Sequence, residues 1–117
     1  MNADLLRGYT DAIILSQLVN QDSYGYRIQK DVSDKTAGGL NFKEATLYTA
    51  FRRLEQAGLI VSYWGGEQQG ARRRYYSITE TGKAKLQEEQ NQWRETRYIL
   101  EKLLMDRAEQ ERSIVYE

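Results

Sequence analysis

The 117-residue sequence contains no cysteine, no histidine and no proline. Without cysteine there is no disulfide, and without cysteine or histidine the usual zinc sites and thiol- or imidazole-based catalytic arrangements are excluded. No apolar run approaches the roughly 20 residues that a membrane span needs. Asp4 precedes the first apolar segment, which is not the layout of a signal peptide. The expectation is a soluble, unprocessed, cytoplasmic protein with no metal, no cofactor and no membrane partner. Net charge is also lacking: 17 basic residues balance 17 acidic ones, which taken alone argues weakly against a nucleic-acid partner.

With 40% of residues hydrophobic and 29% charged, a chain of this length fits one globular domain with a modest core. The charge is unevenly placed. Residues 1–42 hold four basic and five acidic side chains, residues 43–78 six and three, and residues 79–117 seven and nine. The positive excess is confined to the middle third, and local charge is what a phosphate feels.

That middle third reads as a helix followed by a hairpin. In residues 43–58 the positions Leu47, Phe51, Leu54 and Gly58 form one stripe of a 3.6-residue period and should face a core. Thr46, Thr49, Arg52, Arg53 and Gln56 fall on the other side, with Lys43 at the helix start, and Glu44 and Glu55 lie to the flanks. Such a polar, cationic face suits a DNA groove. Gly58 is a plausible stop. Two β-rich runs then follow across residues 60–78, joined by a glycine-punctuated tip and carrying Arg72, Arg73 and Arg74. Alternation along a strand turns Arg72 and Arg74 one way and Arg73 the other. A wing of this kind grips phosphates, and at least one of the three arginines can be structural.

Taken in order, residues 5–19 form a buried first helix, and Ser23 is placed to cap a second helix that runs to about Lys35, before Thr36-Ala37-Gly38-Gly39 breaks it. Tyr48 is expected mainly in the core, and Tyr24 is open between core and phosphate. Three helices and a hairpin, in that order, make a winged helix-turn-helix over residues 1–78, mainly α with a small β-hairpin. Thr79 then caps a long helix from about Glu80 to about Glu109. On it Leu86, Trp93 and Leu100 recur by sevens, Leu103 and Leu104 extend the stripe, and Glu89 and Thr96 interrupt it. A narrow seam of this kind packs against a second subunit, so residues 79–117 are expected to dimerise. The carboxylates on this helix alternate with lysines and arginines as ordinary surface pairs, and no catalytic constellation emerges.

The segments EATLYTAFRRLEQAGLI, GARRRYYSIT and TETG together resemble the reading helix, wing and fourth-helix start of the PadR family of bacterial transcriptional regulators. The SYWG run and Trp93 resemble more closely its small, multidrug-binding, LmrR-like branch. The resemblance implies a dimeric repressor whose final helices exchange across a two-fold axis, binding double-stranded DNA and holding planar aromatic drugs between paired tryptophans. Trp93 matches that tryptophan. Tyr9, Ala12, Ser16, Leu86, Glu89 and Gln90 match positions that line the pocket. Arg97 stands where the drug-binding relative is acidic. From the residues alone Trp93 either lines a slot or packs against its own copy. The rival expectations are a DNA-binding regulator with no drug slot, and a winged-helix module that binds another protein.

Overall fold

Leu47, Ala50, Phe51 and Leu54 fall on one side of a helix and are all buried, at 1% exposure or less. They are the centre of the core in the computed structural model, which describes residues 3–66 and 72–105. Its elements are a 3-10 segment Ala3–Tyr9, α1 Thr10–Leu18, β1 Ser23–Tyr24, α2 Gly25–Lys35, α3 Glu44–Gln56, β2 Ile60–Gly65, β3 Arg73–Ile78 and α4 Glu80–Leu104. The chain divides into two units, Met1–Leu86 and Gln87–Glu117.

In the first unit, Ile14, Leu15 and Leu18 of α1 and Ile28 and Val32 of α2 meet the buried side of α3, and Ile60, Tyr76 and Leu86 close the cluster. The Tyr76 ring stacks on Phe51 with centroids 3.9 Å apart. The end of α3 has a chemical cause. Gly58, at φ +76°, takes the left-handed turn after α3; its N–H donates to the Glu55 carbonyl and that of Leu59 to the Leu54 carbonyl. This paired closure satisfies carbonyls that the helix cannot. Although Gly58 was expected on the core stripe, it is exposed, because α3 has already ended.

Two expectations change here. The first helix is split: residues 3–9 wind as a 3-10 segment and only Thr10–Leu18 is α-helical. Ser23 is no cap. It lies in β1, buried, and accepts a hydrogen bond from Arg27 Nε at 3.1 Å, while Tyr24 occupies the cap position without a capping side chain. The hairpin is therefore part of a three-stranded antiparallel sheet of order β1-β3-β2, with Ser23 paired to Tyr76 and Ile60 to Ile78.

Thr79 does cap α4. Its hydroxyl accepts from the Gly82 N–H at 3.0 Å and donates to the Gly58 carbonyl at 2.8 Å. Gly82 has no room for more: a Cβ there would lie 2.1 Å from the Leu59 carbonyl oxygen. Leu86, expected at the dimer seam and the drug pocket, is 5% exposed in its own chain's core. The apolar surroundings take it up within the first two turns of α4.

In the second unit α4 continues to Leu104. Trp93, Ile99, Leu100, Leu103 and Leu104 are all exposed on it, from 45% to 75%. The wing tip 67–71, the expected helix extension to Glu109 and the tail 112–117 lie outside the described residues. Among the described residues no helix is long and apolar enough to cross a membrane.

Candidate nucleic-acid interface

At 100° per residue, the side of α3 opposite its buried stripe is Ala45, Thr49, Arg52 and Gln56, all exposed. Thr46 and Arg53 lie on the flank toward α1, and Tyr48 and Glu55 on the flank toward the wing. Lys43 is exposed at the N-cap position. The helix dipole there favours an anion such as a DNA phosphate.

The α1 flank opens into a crevice of about 570 Å³ lined by Arg7, Gly8, Thr10, Asp11, Ala45, Thr46, Thr49 and Arg53. Thr46, Thr49 and Arg53 are thus brought together. Arg53 is held by Asp11 of α1, to which it donates from Nε and Nη2. That hydrogen bond is the main cause of the guanidinium's upward pKa shift. Arg52, on the outermost line, lines neither this crevice nor the one beside the wing.

On the other flank the three wing arginines surround a cleft of about 480 Å³, shared with Tyr24, Gly25, Tyr26, Tyr48, Trp64 and Tyr76. Each arginine sits over a different ring: Arg72 over Trp64 at 5.2 Å, Arg73 over Tyr24 at 4.8 Å and Arg74 over Tyr76 at 5.9 Å. Strand alternation puts Arg74 on the side of buried Tyr76, as the sequence implied, and Arg73 beside Tyr75 on the other. Arg74 is tied to both α3 and β2. Its Nη2 donates to Ser62 Oγ at 2.9 Å and to Glu55 Oε1 at 3.4 Å, while Ser62 donates to Glu55 Oε2 at 2.8 Å. This triangle ties the last turn of α3 to both wing strands.

Three aromatic residues of this cleft, Tyr26, Tyr48 and Trp64, are not among those the sequence assigns to DNA. Tyr48, expected in the core, is 41% exposed. Its hydroxyl lies 2.6 Å from where a Cβ on Gly25 would be, so the glycine admits the ring over the first turn of α2. Tyr26 is 68% and Trp64 57% exposed. The signal for them was Gly25 between two tyrosines, a close approach rather than a turn. Across the sheet, Tyr63 stacks on Tyr75 at 5.6 Å, and its hydroxyl donates to Asp22, which raises its pKa.

The residues expected to line a drug pocket are described by unit. On the first, Tyr9, Ala12 and Ser16 are half-buried, and the Ser16 hydroxyl donates to the Ile13 carbonyl at 2.6 Å. On α4, Glu89 is half-buried, Gln90, Trp93 and Arg97 are exposed, and Arg97 Nε donates to Glu101 at 2.9 Å. Among the described residues no group of carboxylates could hold a metal ion.

Residues 14–88 match the sequence profile described as the transcriptional regulator PadR-like family. A solved transcriptional regulator from Clostridium thermocellum is 43% identical, with a TM-score of 0.81, covering 89% of this chain and 98% of that one. A PadR family transcription regulator from Clostridium difficile is 38% identical, with a TM-score of 0.74, over 82% and 98% of the two chains. An uncharacterised protein from Lysinibacillus sphaericus is 41% identical over 86% of this chain and 93% of its own length.

Proposed function

The chain belongs to the PadR-like family of transcriptional regulators, and from that premise we propose that it is a homodimeric repressor of the small, multidrug-binding LmrR-like kind. The observation that carries the DNA-binding part is the exposed face of α3, with Thr46, Thr49 and Arg52, standing between Lys43 and an arginine-lined wing cleft. In this reading Thr46, Thr49, Arg52 and Arg53 meet base edges or phosphates, and Lys43, Arg72 and Arg73 meet the backbone. Arg74 acts through the wing's position.

The exposed apolar positions of α4 support the dimer. Trp93, Leu100 and Leu103 recur at the spacing of a two-helix seam, and leaving them in water is unfavourable. A two-fold dimer presents two copies of α3 to half-sites about 34 Å apart, so the operator is a near-palindrome. Trp93 close to the axis would face its own copy, and a flat hydrophobic molecule entering between the indoles releases DNA if it favours a different spacing of the reading helices. The second reading keeps the regulator without the slot. It is favoured by Arg97, one turn from Trp93, which offers a cationic drug no attraction.

The test has two readouts. Duplex binding, followed by anisotropy, should weaken in the double variant Arg52→Ala/Arg53→Ala, each lost bidentate contact costing on the order of 1–3 kcal/mol; an unchanged curve removes α3 from the interface. Tryptophan fluorescence should be quenched saturably by a flat aromatic dye in the wild type but not in Trp93→Ala, which retains Trp64. Equal response in both removes the slot and leaves the second reading.

A further inference from the structure

We propose that Asp11 is a positioning residue that sets base specificity through Arg53. The inference deepens the DNA-reading role given to α3 and rests on it. Arg53 and Asp11 come from different helices, and the contact is side-on: Nε donates to Oδ2 at 3.4 Å and Nη2 to Oδ1. A guanidinium has five N–H donors in a fixed plane. This contact uses the inner edge and leaves the Nη1 hydrogens and the second Nη2 hydrogen along the outer one. Two parallel N–H groups on one edge match a planar pair of acceptors, and in the major groove guanine O6 and N7 are that pair.

The energetics point the same way. The two side chains are 53% and 40% exposed, a setting in which an ion pair contributes little to the fold. Asp11 also places a negative charge in a crevice lined by Thr46 and Thr49 of the reading helix, where it opposes any approaching phosphate. An acid that stabilises the domain little and repels DNA in general is explained if it fixes the one cation that must not wander. Held in plane, Arg53 loses little further side-chain freedom on meeting its base. Without Asp11 it can swing to a phosphate, a contact that carries no sequence information. Arg52 beside it has no carboxylate of this kind among the described residues, which suits a backbone contact.

The experiment selects duplexes from a randomised library with the wild type, Arg53→Ala, Asp11→Ala and Asp11→Asn, and measures affinity for the selected duplex and for a scrambled one. The expected result is a wild-type consensus with a guanine in each half-site whose preference is lost in Arg53→Ala. In Asp11→Ala that preference falls by about tenfold, the order of one bidentate contact, while the scrambled duplex binds more tightly because a negative charge is gone. Asp11→Asn keeps the shape without the charge and shows the same change in smaller degree. A guanine preference that survives in Asp11→Ala overturns the inference. So does a consensus unchanged by Arg53→Ala, and so does an equal loss on both duplexes in Asp11→Ala, which makes the pair merely structural. A wild type that binds duplex but recovers no consensus overturns base reading by α3, and one that binds no duplex removes the DNA-binding premise itself.

Discussion

Replacing Arg73 and Arg74 one at a time separates two roles carried by consecutive residues. Arg73 lies beside the cleft over Tyr24, whereas Arg74 is engaged with Ser62 and Glu55. Each phosphate neutralised contributes about 0.9 to the slope of log affinity against log salt on B-DNA. In a dimer, Arg73→Ala should flatten that slope by about 1.8, twice the single-contact value. Between 50 and 200 mM salt the wild type would then lose roughly tenfold more affinity than the variant, following the same relation. Arg74→Ala should leave the slope near the wild-type value. Its contact with Glu55 is partly exposed, at 46% and 34%, so the cost to stability is held to about 1 kcal/mol or less, and affinity falls by a similar factor at every salt concentration as the wing loosens. Anisotropy titrations of one labelled duplex across that salt range read both quantities. If Arg74→Ala flattens the slope as much as Arg73→Ala, DNA opens the Glu55–Ser62–Arg74 triangle and the division of roles is wrong.

Gly82→Ala should cost about 3 kcal/mol, the upper part of the range for overpacking, because the new methyl meets backbone oxygen at 2.1 Å; a melting temperature within a degree or two of wild type would contradict that geometry. Burial raises the Tyr76 phenol above its ordinary value of 10.0, with the Arg74 charge opposing the shift. A raised folded value means stability that is complete below pH 10 and lost as pH climbs through the higher folded value; Tyr76→Phe should therefore shrink the alkaline loss of stability measured by urea titration above pH 10, and an unaltered profile would place the loss elsewhere. Leu100→Glu puts a charge on the exposed stripe of α4 and should shift micromolar protein from dimer to monomer in sedimentation velocity, whereas an unchanged dimer would locate the interface off that stripe.

The third helix, α3, was legible because its burial follows a period the chain itself displays. Leu47, Phe51 and Leu54 are spaced for one face, and Gly58 marks the stop that its left-handed φ requires. The cap of α4 was legible for a similar local reason, a threonine whose hydroxyl reaches the N–H three residues on. Ser23 shows where local signals mislead. A two-residue strand has no period, and the serine's chemistry suits a cap equally well; only β3, some fifty residues later, decides for the sheet. Tyr48 was misplaced because a tyrosine at the edge of a buried stripe can turn either way, and the absence of a side chain at Gly25 decided which.

The basic stretch shows the same division of information. Composition along the chain located it, and alternation along the strand set Arg73 and Arg74 on opposite sides, while Arg72 precedes the strand. Neither could say that Asp11 would hold Arg53 or that Glu55 and Ser62 would hold Arg74, because those partners lie 42, 19 and 12 residues away. By itself, then, the sequence determined the helices, the wing and the position of the cationic face, all properties of periodicity and near-neighbour chemistry. The tertiary structure alone decided which partners hold Arg53 and Arg74, and that Leu86 belongs to the core, because charge pairing and burial depend on distances that only the folded chain sets.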